Sequence, residues 1–493
     1  MADSNDDAML RQFLLGLAEG LNAAQESVDR IGERLAEIAA AYDRRDIQFV
    51  VLPTMIIVDS GAGQGGRVGL RTAVNPQFRL DQIAALYELV ALARAGSVDP
   101  ERGIERLNQI GAMRPRHRWQ VRVLGHAILT TGLALLLTPT WQGLLVAFGL
   151  GAVLGLAKLI RSPTLQLVFP VVAAFVSAIT VFLLSEVVPI GNPLELLIAP
   201  LVTFLPGSAL TTATMELAAG QMIAGASRLI TGLVQLALLS FGILAAGTVV
   251  GVGAWSYEVL GGSGDQLPWW TAAAGVLLIA VGDLLHFSAP GRAFGWVLLA
   301  LVVAYFGQAI GELIAGATVS GFVGALAMTP VVLWISDLRR GVPSQLTFLP
   351  AFWLLVPGAA GVAGLTEAFG TESGVGDFVT ALTSIMAIAL GVLIGTALYR
   401  VVHRGAEELA NFHIELPSAD DEAAEPPFWA RLVPGSRDSF WTRRPKPRRR
   451  PDGTRAALEQ STAEPERIEA DADPASAGRP DGESAREMRD RDS

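Results

Sequence analysis

Two stretches place a Pro-Gly pair inside long apolar runs. They are Leu201-Val202-Thr203-Phe204-Leu205-Pro206-Gly207-Ser208 and Phe352-Trp353-Leu354-Leu355-Val356-Pro357-Gly358-Ala359. Proline has no N–H to give and clashes with the preceding helical turn, and glycine lifts side-chain restraint. Inside a bilayer, such a pair interrupts a helix and leaves backbone groups that must find partners. A polar solute can supply them, and interruptions at matching positions of two halves point to a solute site. Pro206, Gly207, Pro357 and Gly358 are therefore candidate binding residues. Past Gly207 run Ser208-Ala209-Leu210-Thr211-Thr212-Ala213-Thr214-Met215-Glu216. Helical spacing puts Ser208, Thr212 and Glu216 on one face, with Thr211 beside them. Hydroxyls can bond an amine, a carboxylate or another hydroxyl; equally, they can bond back to their own helix.

Glu216 is the ionisable group best placed to carry a proton, because a carboxylate in low dielectric favours its neutral form. The alternative is an interfacial ion pair with Arg228. Asp283, one turn before His286, is the second candidate for proton coupling, as a relay or as a satisfied pair. Asp337, Arg339 and Arg340 fit a loop, with a gating salt bridge through Asp337 and Arg340 as the sharper alternative. His126, one turn after Arg122, reads as an interface residue. Gly149, Gly151 and Gly155 read as a close-packing face.

The 493 residues are 51% hydrophobic and 17% charged, and the charge lies mostly in the two ends. There is no cysteine, so disulfides, thiolate metal sites and thiol nucleophiles are excluded. The acidic start, MADSNDDAML, lacks the basic and apolar regions of a signal peptide. The Gly-rich stretch Asp59–Gly66 ends in Arg67-Val68-Gly69 rather than Gly-Lys-Ser/Thr, so it reads as a hairpin and not as a phosphate loop. The histidines within the spans have no partner set for hydrolysis or metal binding, so an enzyme is not expected, and neither is a cofactor, a metal or a nucleic-acid partner.

Stepping outward, ten apolar runs are long enough to span a bilayer: 121–138, 141–159, 166–186, 193–218, 228–252, 269–287, 292–311, 313–336, 345–365 and 377–402. Arg114, Arg116, Arg118, Arg122, Lys158, Arg161, Arg228, Arg292, Arg339, Arg340, Arg400 and Arg404 fall on one side. The other side holds only acids, including Glu186, Glu195, Glu258, Asp265, Glu312 and Glu367. The positive-inside bias then puts both termini in the cytoplasm of a multi-pass cell-membrane protein. Each Pro-Gly falls in the fourth span of a group of five. Five is odd, so the second group enters from the opposite face and forms an inverted repeat. The fold class expected is an α-helical polytopic membrane protein, five plus five helices, with a small α+β domain ahead of it. That domain combines amphipathic helices over Ala8–Tyr42, three strands around Ile47–Leu52, Thr54–Val58 and Arg67–Ala73, and helices over Leu80–Ala95 and Pro100–Ile110. The divisions are 1–118 soluble, 119–255 and 256–405 membrane halves, and 406–493 a disordered tail. The tail's basic run from Arg443 to Arg450 could touch anionic lipid.

The stretch Leu205-Pro206-Gly207-Ser208-Ala209-Leu210-Thr211-Thr212, through Glu216 and Gly220 to Gly225 and Arg228, resembles the threonine/serine exporter family. That family's pattern is Pro-Gly, Leu-Thr-Asn, Arg-Asp, Gly and Gly-x-x-Arg. Gly341-Val342-Pro343 through Pro350 to Pro357-Gly358 resembles its second signature, and Phe49–Ile110 its N-terminal domain. Thr212 stands where Asn is expected, Met215 for Arg, Glu216 for Asp, and Thr231 for an acid. The resemblance implies export of threonine and serine driven by the proton gradient, and partners limited to the amino acid, protons, the bilayer and a second copy of the chain. Two rival readings stay open: a membrane receptor or scaffold signalling through residues 1–118, and an exporter of a different small polar metabolite.

Overall fold

A computed structural model describes residues 2–59, 68–72, 77–137, 140–160, 162–251, 268, 270–355 and 374–410. Residues 1–413 form one compact unit. It begins with α1 (Ala2–Ala23) and α2 (Val28–Ala41), then β1 (Gln48–Leu52), β2 (Met55–Asp59) and β3 (Val68–Thr72), then α3 (Leu80–Arg94) and α4 (Pro100–Gly111). The strands are an antiparallel meander in the order β1-β2-β3. Leu52 pairs with Met55 across Pro53-Thr54, so the proline takes a turn position where its missing N–H costs no ladder bond. Alternation along β2 sends Ile56 and Val58 inward, both fully buried, against α1. On α1, Phe13, Leu14, Leu17 and Leu21 form one buried stripe, and Ile31, Leu35 and Ile38 do the same on α2.

Next come α5 (Trp119–Leu137), α6 (Trp141–Ala157), α7 (Pro163–Ser185), α8 (Pro193–Leu201), α9 (Gly207–Ala218), α10 (Met222–Val250), α11 (Thr271–His286), α12 (Phe294–Ala315), α13 (Ala317–Asp337), α14 (Ser344–Leu355) and α15 (Gly374–Ala410). Among the described residues, α5, α7, α10, α12, α13 and α15 are long and apolar enough to cross a bilayer, and α8 with α9 make one more bent crossing. The chain is thus a polytopic helical membrane protein. α6, α11 and α14 are apolar but 17, 16 and 12 residues long, short of the roughly 20 residues of a straight crossing. Large side chains such as Leu145, Val176, Phe241, Phe306 and Leu313 point outward, as lipid contact demands.

Helix contacts are set by small residues. α5 and α11 run antiparallel with glycine at the crossing: a Cβ on Gly282 would lie 2.3 Å from the Leu129 nitrogen, and one on Gly132 2.8 Å from the Gly275 carbonyl oxygen. α13 and α15 run parallel, where Gly391 and Gly395 approach the carbonyls of Phe322 and Leu326. The junction expected between 311 and 313 lies further along. α12 continues to Ala315, and Gly316, at φ +82°, turns the chain into α13. Glu312 is therefore an exposed residue of the last turn of α12.

Candidate functional site

The fourth expected span is interrupted. α8 ends at Leu201, a 3-10 turn covers Val202–Phe204, Leu205 is extended (φ −71°, ψ 129°), and Pro206 caps α9, whose first residue is Gly207. The two parts meet at 69°. Backbone oxygens freed here are met by side chains from elsewhere. Lys158 Nζ donates to the Thr203 carbonyl at 3.3 Å, and Gln235 Nε2 to the Phe204 carbonyl at 2.6 Å. The Thr203 hydroxyl lies 2.9 Å from His126 Nε2, while His126 Nδ1 donates to the Gly151 carbonyl at 2.7 Å. His126 is fully buried among the helices. Gly151 and Gly155 make this possible, since a Cβ on Gly155 would sit 2.9 Å from the His126 Cβ; Gly149, by contrast, faces nothing within 4 Å.

Below the interruption, Ser208, Thr212 and Met215 line a cavity of about 40 Å³. Gln345, Phe348 and Phe352 of α14 form its opposite wall, and Gln25, Glu26, Ser27 and Arg30 close it. Gln25, Glu26 and Ser27 belong to the turn between α1 and α2, where Gln25 takes a left-handed backbone (φ +64°), and Arg30 to the first turn of α2. Ser208 Oγ donates to Gln25 Oε1 at 3.3 Å. Thr211 does not line this cavity; it is fully buried, and its hydroxyl has no hydrogen-bond partner among the described residues.

One turn further on, fully buried Glu216 accepts from the Val28 N–H at 3.1 Å and pairs with Arg228 Nε at 3.2 Å. The guanidinium also donates to Asn22 Oδ1 at 3.3 Å and to the Glu26 carbonyl at 3.4 Å. Glu26 is itself fully buried, with Arg30 and Arg34 at 3.8 and 3.7 Å and the Tyr87 hydroxyl donating to it. The carboxylate of α9 thus meets the first N–H of α2, where an anion is favoured by the free amides and the helix dipole.

Asp283 is buried and neither of its oxygens has a hydrogen-bond partner among the described residues. The expected Asp283–His286 pair does not form: His286 Nδ1 donates to the Arg122 carbonyl at 2.9 Å, and Arg122 Nε donates back to the His286 carbonyl at 3.3 Å. Asp337 and Arg340 are exposed, and among the described residues they form no ion pair with each other; Asp337 accepts from the Tyr399 hydroxyl at 2.6 Å. Pro357 and Gly358 lie outside the described residues, two positions past the end of α14. Sequence reasoning missed Asn22, Gln25, Glu26, Val28 and Lys158. Lys158 did carry a signal, as one of only two lysines in the chain and the one inside the apolar region.

On the other side of the interruption, Thr203 and Phe204 border a second cavity of about 560 Å³.

No curated protein and no solved structure matches the chain. The family model described as "Putative threonine/serine exporter" matches residues 12–250. That range takes in most of α1, the meander, the interrupted helix with Ser208, Thr212 and Glu216, and all of α10. The matched family is the one that the stretch from Leu205 to Arg228 resembles.

Proposed function

We propose that the protein is a secondary transporter that exports small hydroxylated amino acids, threonine and serine, against entry of protons. The observation that carries this reading is the 69° interruption, whose hydroxyl-bearing face opens on a cavity between α9 and α14. α9 begins at the first Pro-Gly pair, and the second, Pro357-Gly358, follows α14 in the sequence. Ser208 and Thr212 bind the substrate there, together with the peptide groups near Pro206, Gly207, Pro357 and Gly358. Thr211 lies behind them. Glu216 or Asp283 carries the proton, since each is a buried carboxylate with few hydrogen bonds.

The architecture proposed is ten helices as five plus five. It is supported by the antiparallel crossing of α5 with α11, the first members of the two halves, since an inverted repeat turns its counterparts end for end. Alternating access then comes from one half rocking against the other, with both termini in the cytoplasm. Arg228 holds Glu216 in place, and Asp337, at the end of α13, moves with Arg340 in the loop that follows it.

A specific observation favours a second reading. The α1–α2 turn is seated on Ser208, Glu216 and Arg228, as a sensor domain would be in a receptor or scaffold. Inside-out proteoliposomes separate the two. With labelled threonine and an imposed pH gradient, the transporter takes up label, E216Q and D283N identify the coupling carboxylate, and unlabelled serine competes. If neither serine nor threonine competes while another solute does, the substrate class is wrong. If no gradient drives any solute, the receptor reading replaces this one.

A further inference from the structure

The larger cavity at the interruption is lined by cations of one sign. Arg79, Arg122 and Lys158 face it, His286 lies beside them as an imidazole donating to the Arg122 carbonyl, and among the described residues no carboxylate lines it. Arg79 is paired with Asp81 at 3.0 Å, but among the described residues Lys158 is held by the Thr203 carbonyl and the ring of Phe204, 4.4 Å from its centre, and by no carboxylate. A zwitterionic amino acid brings an ammonium group, and nothing anionic here receives it. The lining selects a ligand with net negative charge.

The rest of the wall is apolar. Val168, Phe169, Pro170 and Val172 come from α7, and Ile160 follows α6. Val168, Val172 and Ile160 are about half exposed, at 49%, 51% and 55%. In a bilayer these side chains face hydrocarbon. The ligand that satisfies both walls has an anionic head and an apolar tail. The cavity also lies where the polar N-terminal segment meets the membrane helices, because Gln77, Phe78 and Arg79 roof it. That is headgroup depth, where basic pockets between helices hold anionic lipid heads.

We infer that this cavity binds the phosphate headgroup of an anionic phospholipid, with its acyl chains along the outer face of α7. Lys158 and Arg122 take the phosphate, Lys158 as a compact point charge and Arg122 as a planar fork. Arg79 closes the site from the N-terminal segment. The bound lipid therefore touches that segment, the start of α5, the end of α6 and the interruption together. None of this depends on what the protein transports.

The test uses the full-length protein in a neutral detergent. Phosphatidylglycerol is titrated against phosphatidylcholine with the same chains, and retained lipid is counted by native mass spectrometry while unfolding temperature is recorded. Phosphatidylglycerol binds saturably and raises the unfolding temperature; phosphatidylcholine does neither. K158Q and R122Q each weaken that binding about tenfold or more, as expected for loss of a charged hydrogen bond. K158R keeps most of it, and R102Q, on the exposed face of α4 away from the cavity, leaves it unchanged. Equal binding of both headgroups overturns the inference, as does undiminished phosphatidylglycerol binding in K158Q and R122Q. Inorganic phosphate that displaces the lipid and matches its stabilisation makes this a free-anion site and overturns the lipid assignment. If K158Q fails to fold, headgroup selectivity of the native chain and the R122Q titration still decide the matter.

Discussion

Replacing Arg228 by glutamine isolates the contact that seats the N-terminal segment. Glu216 is fully buried and Arg228 only 11% exposed, so their pair is shielded from water. Removing one partner of a buried pair costs about 3–5 kcal/mol, because the other charge is left uncompensated. Glu216 would keep the Val28 N–H, which places R228Q near the lower end, about 3 kcal/mol. E216Q is milder. Its amide oxygen still accepts from Val28, and Arg228 keeps Asn22 Oδ1 and the Glu26 carbonyl, so about 1.5 kcal/mol is expected for one charged hydrogen bond. The double variant leaves no stranded charge and should resemble E216Q. Because Val28, Asn22 and Glu26 all lie in residues 1–118, the loss falls on undocking of that segment. Trypsin can cut at Arg116 and Arg118, exposed between α4 and α5, whereas Arg114 precedes Pro115 and resists it. The cut segment leaves only when it undocks, so its release should accelerate about 150-fold in R228Q and about tenfold in E216Q. Equal effects of the two single changes that simply add in the double variant would mean the pair is uncoupled, and the reasoning from burial would be wrong.

Three further outcomes follow from the same geometry. S208A with T212V removes two hydroxyls from the cavity at the interruption, and at about 0.5–1.5 kcal/mol each should raise KM for serine and threonine roughly tenfold in proteoliposomes; an unchanged KM removes both from the binding site. D283N replaces a carboxylate that lacks hydrogen bonds by a neutral isostere, so the unfolding temperature in detergent should rise or hold. If Asp283 is the coupling group, gradient-driven flux is lost even so, whereas a fall in stability would mean the carboxylate has partners. G282A places a methyl 2.3 Å from the Leu129 backbone and should cost about 1–3 kcal/mol of stability, while G291A, with nothing within 4 Å, should cost nothing measurable on the same thermal scan.

Local signals carried well from sequence to structure. β-branched runs on either side of Pro53 became β1 and β2, and the helical stripes of 8–42 became α1 and α2. Pro206-Gly207 marked the bend because its cause is backbone chemistry inside one helix. What could not be read were contacts between distant segments. Gln25 and Glu26 look like surface residues in an amphipathic stretch, yet they cap a cavity against residues nearly two hundred positions away. The close contact of His126 with α6 depends on the glycine at 155, which the spacing beside Arg122 does not reveal. The i, i+3 spacing of Asp283 and His286 was right for a pair, but the Arg122 carbonyl across the α5–α11 crossing was the nearer partner for the imidazole.

The seated α1–α2 turn bears on how the proposed carrier would work. A cavity of about 40 Å³ has room for a few waters, each needing about 10–15 Å³ by this measure, and not for an amino acid. Glu216 is covered by the same turn, and its accessible lone pair is already given to Val28. On the transport reading, substrate and proton therefore meet one obstacle, and withdrawing the turn exposes the hydroxyl face and the carboxylate together. That links the two events without a separate gate. It also gives Arg228 a role that neither the helix pattern nor the positive-inside bias suggests, because it holds Glu216 with one nitrogen and, through the Glu26 carbonyl, the turn with another. A protonated Glu216 would loosen its hold on Arg228 and so on the turn. Proton binding and opening then favour one another by linkage, whichever comes first.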